Sequence, residues 1–263
     1  MYEAIAGARS ESENYGYTRW LAKHLGLQHQ STSVGFQHGW IWWDVKDGPF
    51  QEKGIYGLDP NWSSHTALLV QDNAVLEAVE KAGKPAYACG LPFLNYFDND
   101  RPEQERDRDL LFVPTHSNSS AKVSGIVLDS IRKAKDKYKG SVLLAWEDRH
   151  LEPEVKQWFE VEIGAGDLEV NSFPRIAKVF QRYDKVVTDT MGSHILYARY
   201  AGAKVALDAE MFRPEKFSLD YIQNRLPGLV ADEPTLWELP EIAKCEPLQI
   251  AKYFGWDCNA KCE

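Results

Sequence analysis

From Leu110 to Leu207 the chain repeats one pattern: a short apolar run, a polar loop, an amphipathic segment of helical period, then a stop. Leu110-Leu111-Phe112-Val113 leads through Pro114–Ser120 into Val123–Tyr138, where Val123, Ile126, Val127 and Ile131 recur at helical spacing. Ser141–Trp146 reads as the next strand and Leu168-Glu169-Val170 as a shorter one. Pro174, a residue suited to a first helical turn, opens the helix Arg175–Arg182. Strand Lys185–Thr188, loop Asp189–Gly192, helix Ser193–Ala201, stop Gly202 and strand Lys204–Leu207 complete the series. Strands separated by helices and short connections cannot pair as hairpins. Each must return by a crossover, which predicts a parallel sheet with helices on both faces.

The first part of the chain carries the same pattern in reduced form. Tyr2–Leu27 reads as helix, with Trp20, Leu21, His24 and Leu25 on one stripe and Gly26 as its stop. Ser33–Gln37 reads as a short strand entering His38-Gly39 and the aromatic run Trp40-Ile41-Trp42-Trp43, and Asp47–Ser64 as a loop. Ala67–Val70, Asp72–Ala82 and Pro85–Gly90 then form strand, helix, strand, a parallel βαβ unit. The charge run Asp98–Asp109, broken by Pro102, is the place for a linker. The expectation is an α/β protein of two Rossmann-like lobes, the first (1–100) reduced. The second (101–263) has the parallel sheet and ends in helices joined by Pro-containing turns over Pro214–Trp256.

Composition narrows the function. With 30 Lys and Arg against 39 Asp and Glu, a formal charge of -9, the chain has no excess of cations to displace counterions from a nucleic acid. A bound phosphate must be held locally, by a helix start and a few placed side chains. No apolar run approaches the roughly 20 residues that cross a bilayer. The opening Met1-Tyr2-Glu3-Ala4 has no basic stretch before an apolar core, so a cytoplasmic location is expected. Cys89 stands alone, and Cys245, Cys258 and Cys262 form no C-x-x-C pair, which reads as buried or tail thiols rather than a zinc site. Asp98-Asn99-Asp100 matches a metal-binding D-x-D but lies in the charged linker, not at a strand end. Neither a metal nor a cofactor is expected.

In open parallel sheets ligands bind outside the carboxyl ends of the strands, so polar residues there outrank polar residues elsewhere. Thr188-Asp189-Thr190-Met191-Gly192-Ser193-His194 joins a strand to a helix, and Gly192 leaves room for a ligand to approach the backbone. A phosphate there would meet the helix dipole and the Ser193 hydroxyl. The other reading is that Asp189, Thr190 or Ser193 simply caps the helix. The loop Pro114–Ser120 crowds His116, Ser117, Asn118, Ser119 and Ser120 behind Thr115, more polar groups than one cap requires. Gln37-His38-Gly39 puts an imidazole beside a residue with no side chain, an arrangement open to a general base or to a purely structural His. Trp40 and Trp42 would share one face of a strand, either as a sugar-stacking platform or as core.

The second half resembles the nucleotide-binding lobe of GT-B glycosyltransferases that build bacterial capsules, lipopolysaccharides and teichoic acids. Val113-Pro114-Thr115-His116 is similar to the "APT" strand end of CDP-glycerol glycerophosphotransferases. Val187–Ala198 resembles the strand-loop-helix those families use for donor phosphates, and Gly202-Ala203-Lys204-Val205 resembles their "G-K-P-V" strand start. Phe36-Gln37-His38-Gly39 resembles their "W-H-G" element, whose His is the acceptor base. The chain departs from the family in its short first lobe, and in having Arg149-His150 without the Pro of "R-x-H-P".

The resemblance implies a transferase, free of metal, that moves a sugar or polyol phosphate from a nucleotide-activated donor to a hydroxyl of a glycan or polyol acceptor, as in surface polysaccharide synthesis. His38 would be the base, with His116 next in line. Thr115, Ser117, Asn118, Ser119, Glu147, Asp189, Thr190, Met191, Gly192, Ser193 and His194 would hold the donor, and Gly39 and Trp40 the acceptor. A nucleotide-sugar 2-epimerase shares the fold and would need several acids converging on the sugar, for which Glu147 and Asp148 are the obvious pair. A non-catalytic nucleotide- or glycan-binding subunit is the third reading.

Overall fold

A computed structural model describes residues 16–37, 39–43, 66–97, 106–117, 122–164, 172–213, 217–238, 242 and 246–256. Its contacts divide the chain into two compact units, one drawn from Met1–Tyr96, Leu168–Phe173 and Glu241–Glu263, the other from Phe97–Asp167 and Pro174–Pro240. Both are α/β, each around a parallel sheet.

The first unit begins with helix α1 (Tyr17–Leu25), which ends where Gly26 takes a left-handed φ of 61° and returns its N–H to Ala22 and Lys23. Strands β1 (Val34–Phe36) and β2 (Ala67–Val70) pair in parallel, and β2 pairs with β3 (Ala86–Ala88) across helix α2 (Asn73–Lys81). The Asp72 carboxylate accepts the Val75 N–H and caps α2, worth about 1 kcal/mol. Val75 and Val79 turn inward from α2 onto Leu68, Val70 and Ala86. Residues 39–43 are irregular, not the expected strand. The reason is a side chain: Gln71 at the end of β2 gives its Nε2–H to the Ile41 carbonyl and takes the Ile41 N–H, both at 2.9 Å, in place of a strand partner. Trp40, Ile41 and Trp42 are buried as a result.

The second unit contains β4 (Arg108–Val113), α3 (Ser124–Lys137), β5 (Ser141–Leu144), α4 (Glu152–Val155), β6 (Glu160–Ile163), α5 (Ser172–Gln181) from Pro174 onward, β7 (Tyr183–Thr188), α6 (Ser193–Tyr200), β8 (Lys204–Leu207) and α7 (Leu219–Arg225). Its five strands are all parallel in the order β6-β5-β4-β7-β8. Phe112, Val142, Leu144 and Val187 from the sheet bury against Val127, Ile131 and Ala134 of α3. Each such side chain contributes about 1.5–3 kcal/mol by leaving water. Gly140 enters β5 at a φ of 136°, where a Cβ would strike the Leu110 carbonyl.

Two expectations change here. The third strand of this sheet is Glu160–Ile163, and Leu168–Val170 lies outside the described residues. The strand β4 begins inside the stretch assigned to a linker. Arg108 pairs with Glu160 on the neighbouring β5-β6 side, and Asp109 with Lys185 of β7 at 3.1 Å, so the charges at its start are matched by its neighbours. The last helix, α8 (Pro247–Tyr253), falls in the first unit. Phe254 meets Tyr17 edge-on and Tyr253 stacks on Tyr87 of β3 at 4.4 Å, apolar contacts that the sequence alone does not assign.

Candidate functional site

The strand order decides where a ligand fits. Numbered from its first strand, the sheet reads 3-2-1-4-5, so the chain reverses its direction of growth between β4 and β7. Val113 is paired with Thr188. The loops that leave the carboxyl ends of these two strands therefore start side by side, and they are Pro114–Ser117 and Asp189–Gly192.

Two buried carboxylates fasten the first loop. Asp189, the residue after β7, accepts the Thr115 N–H at 2.6 Å and the Thr115 hydroxyl at 3.2 Å, and also takes the Ser130 hydroxyl of α3. Asp148, in the turn after β5, accepts the Ser117 N–H, the Ser117 hydroxyl and the Ser124 hydroxyl, each at 2.7 Å. Ser117 Oγ in turn accepts the Val123 N–H at 2.9 Å at the start of α3. Burial pushes the Asp189 carboxyl up, against the pull of the Ser130 and Thr115 donors. Between the two fastened residues, His116 is exposed.

The second loop is fastened by its own histidine. His194 Nε2 lies 2.9 Å from the Thr188 hydroxyl, which donates to the Thr190 carbonyl at 3.1 Å and accepts the Thr190 N–H at 3.2 Å. With that hydroxyl proton already given to Thr190, the proton of the imidazole is assigned to Nε2. Burial, helped by the neighbouring His116, pushes the His194 pKa down to about 3. The ring is neutral near pH 7 and supplies no positive charge to a phosphate.

The capping reading of this loop meets a different arrangement. The cap of α6 is Gly192, which has no side chain with which to cap the helix. The Ser193 hydroxyl instead bonds to Tyr197 one turn on. A Cβ at Gly192 would lie 2.8 Å from Nδ1 and 2.9 Å from Cε1 of His194. The space beside Gly192 is thus filled by the protein's own imidazole.

The candidate donor residues divide accordingly. His116 is exposed, and Thr115, Glu147, Met191, Gly192 and Ser193 are half-buried. Ser117, Asp189, Thr190 and His194 are buried and bonded within the loops. Asn118, Ser119 and His38 lie outside the described residues. In the first unit Gly39 is half-buried, while Trp40 is 5% exposed and presents no open ring face. Gln37 and Gln71 hold this turn: Gln37 Nε2 donates to the Gly39 carbonyl at 2.6 Å and to Gln71 Oε1 at 2.8 Å, and Gln71 N–H returns to Gln37 Oε1 at 3.1 Å.

Asp148, Ser124 and Ser130 escaped the sequence reading as site-forming residues. In the sequence Asp148 reads as half of an acidic pair, and both serines fall within the expected helix Val123–Tyr138. A third acid, Asp208 after β8, is likewise occupied, by Tyr138, by Lys137 and by the N–H groups of Glu210 and Met211. Burial would raise its pKa, and these donors outweigh burial and hold it low. The three aspartates that follow β5, β7 and β8 therefore all point into the protein, satisfied by donors. No group of three or more His, Cys, Asp or Glu is arranged to hold a metal among the described residues, and among them no helix is long and apolar enough to cross a membrane.

The fold and this loop pair define a class: a parallel α/β protein whose strand-order reversal presents an exposed histidine. No protein-family model matches the chain, and no curated protein matches it. Among solved structures it is similar to Anabaena HepE in complex with UDP, at 11% identity and a TM-score of 0.32, over 66% of this chain and 52% of that one. The chain thus spans about half the length of HepE.

Proposed function

We propose that the second unit binds a nucleotide-activated donor and that the protein transfers its sugar, or polyol phosphate, to a hydroxyl acceptor. One observation carries this: at the reversal between β4 and β7, where α6 begins at Gly192, His116 stands exposed with the adjoining aspartates turned inward. A chain of charge -9 receives a phosphate best where its carboxylates are withdrawn and a helix start directs its dipole at the anion. The α6 start and His116 would stabilise the charge that develops on the departing nucleotide, work for which no metal is required in this reading. His38 would take the acceptor proton, on the strength of the Phe36-Gln37-His38-Gly39 resemblance.

The 2-epimerase reading is weakened, because Asp148 is fully buried and spent on Ser117 and Ser124, leaving Glu147 without its acidic partner. The test is a thermal-shift panel of CMP, CDP, UDP, GDP and TDP, since a ligand that binds only the folded state raises the melting temperature. One nucleoside diphosphate is expected to shift the transition. Nucleotide release from the matching activated sugar with an acceptor then separates a transferase from a binding subunit. A panel with no shift overturns the proposal.

A further inference from the structure

We infer that Asp148 and Asp189 are positioning residues that act through His116, holding its imidazole in a preset place for the donor's phosphate; this rests on the donor reading above. The argument starts from backbone. A polar loop at a strand end has several conformations, and a histidine on such a loop would lose entropy on meeting a ligand. Here the residue on each side of His116 gives both its N–H and its hydroxyl to a buried carboxylate, Thr115 to Asp189 and Ser117 to Asp148. The two acids come from different elements, the ends of β7 and β5, and flank β4 on its two sides in the sheet.

Each carboxylate is also tied to α3, Asp189 through Ser130 and Asp148 through Ser124. The loop is thereby referred to the helix as well as to both neighbouring strands. Bonds to an ionised acceptor are stronger than neutral ones, and a buried carboxylate that loses a donor is costly, so the arrangement resists opening. The carboxylates are fully buried and their oxygens already accept these donors, so neither acid is offered as a ligand for the donor. Their effect on binding passes through the one exposed side chain between them.

A double-mutant cycle separates this from plain structural support. UDP and CDP are titrated by calorimetry into the full-length wild type, His116→Ala, Asp148→Asn and the double variant, with a thermal melt of each. His116→Ala is expected to weaken binding about tenfold, the scale of one charge-assisted hydrogen bond. Asp148→Asn should weaken it by about the same factor, and the double variant should bind no worse than His116→Ala. The melting temperature should fall equally when Asp148→Asn is made in either background.

If Asp148→Asn gives no cooperative melt, Asp189→Asn runs the same cycle. Amide hydrogen exchange of the wild type reads the arrangement without any variant, and Thr115 and Ser117 should exchange slowly. Binding by the wild type with additive losses in the cycle overturns the inference and leaves the donor reading standing, as do Thr115 and Ser117 amides that exchange at open-loop rates. Absence of binding by the wild type overturns the donor reading and this inference together.

Discussion

Replacing Gly192 by alanine isolates the contact between the second loop and its histidine. Gly192 is extended, with φ of -178° and ψ of 174°, a conformation open to any residue, so the substitution adds no backbone strain. Its Cβ would sit 2.8 and 2.9 Å from two atoms of the His194 ring, whereas such atoms rest about 3.5–4.0 Å apart. The ring must move by roughly 1 Å, which breaks its 2.9 Å bond to the Thr188 hydroxyl and presses it into packed neighbours. Overpacking costs about 1–3 kcal/mol and the lost buried bond about 1 kcal/mol. The lower entropy of the unfolded alanine chain offsets about 0.4–1 kcal/mol.

The net expectation is a loss of about 2 kcal/mol from Gly192→Ala. In a His194→Ala background the ring is gone, and the same substitution should be neutral or slightly stabilising. Urea denaturation followed by tryptophan fluorescence measures both steps, since Trp146, Trp158 and Trp237 all lie in the second unit. Equal destabilisation in the two backgrounds would refute the reasoning, because it would mean that the cost does not arise at the ring.

Three further outcomes are expected. His194 is held neutral, with its folded pKa lowered to about 3 from an unfolded value of about 6.5. Its contribution is therefore complete above about pH 6.5 and is lost as pH falls toward 3, at up to about 1.4 kcal/mol per pH unit. The urea midpoint of His194→Gln should lack that component of the acid slope. His38→Ala should abolish transfer by about a hundredfold or more while nucleotide affinity stays near wild type, and a variant with normal turnover would move the base elsewhere. Gln71→Leu should cost about 2–4 kcal/mol, because it strands the Ile41 N–H and carbonyl in a buried setting and takes one of the two acceptors of Gln37 Nε2, and a denaturation curve matching wild type would contradict that.

Much of the second sheet was legible in its letters. Leu110–Val113, Lys185–Thr188 and Lys204–Leu207 are mainly apolar runs ended by Pro or Asp, and local burial and turn chemistry suffice to mark them as parallel strands. Strand β6 was not legible, because an edge strand that alternates Glu160 and Glu162 with Val161 and Ile163 is only partly buried and lacks a continuous apolar run. The start of β4 was hidden for a related reason: Arg108 and Asp109 look like linker residues until Glu160 of β6 and Lys185 of β7 pair with them.

The candidate site divides along the same line. Sequence alone determined that polar residues cluster after β4 and β7, since a strand end followed by His, Ser, Asp and Thr is a local pattern. It did not determine which of them face outward. Asp189 looks like a cap or a ligand contact, yet its carboxylate is spent on Thr115, 74 residues away in the chain, and Asp148 on Ser117, 31 residues away. Likewise Gly192 reads as room for a ligand, and the tertiary structure fills that room with His194. A residue's type states what bonds it can make, but its partners come from other strands. Only the order β6-β5-β4-β7-β8 brought those partners together, turning the carboxylates inward and leaving His116 exposed.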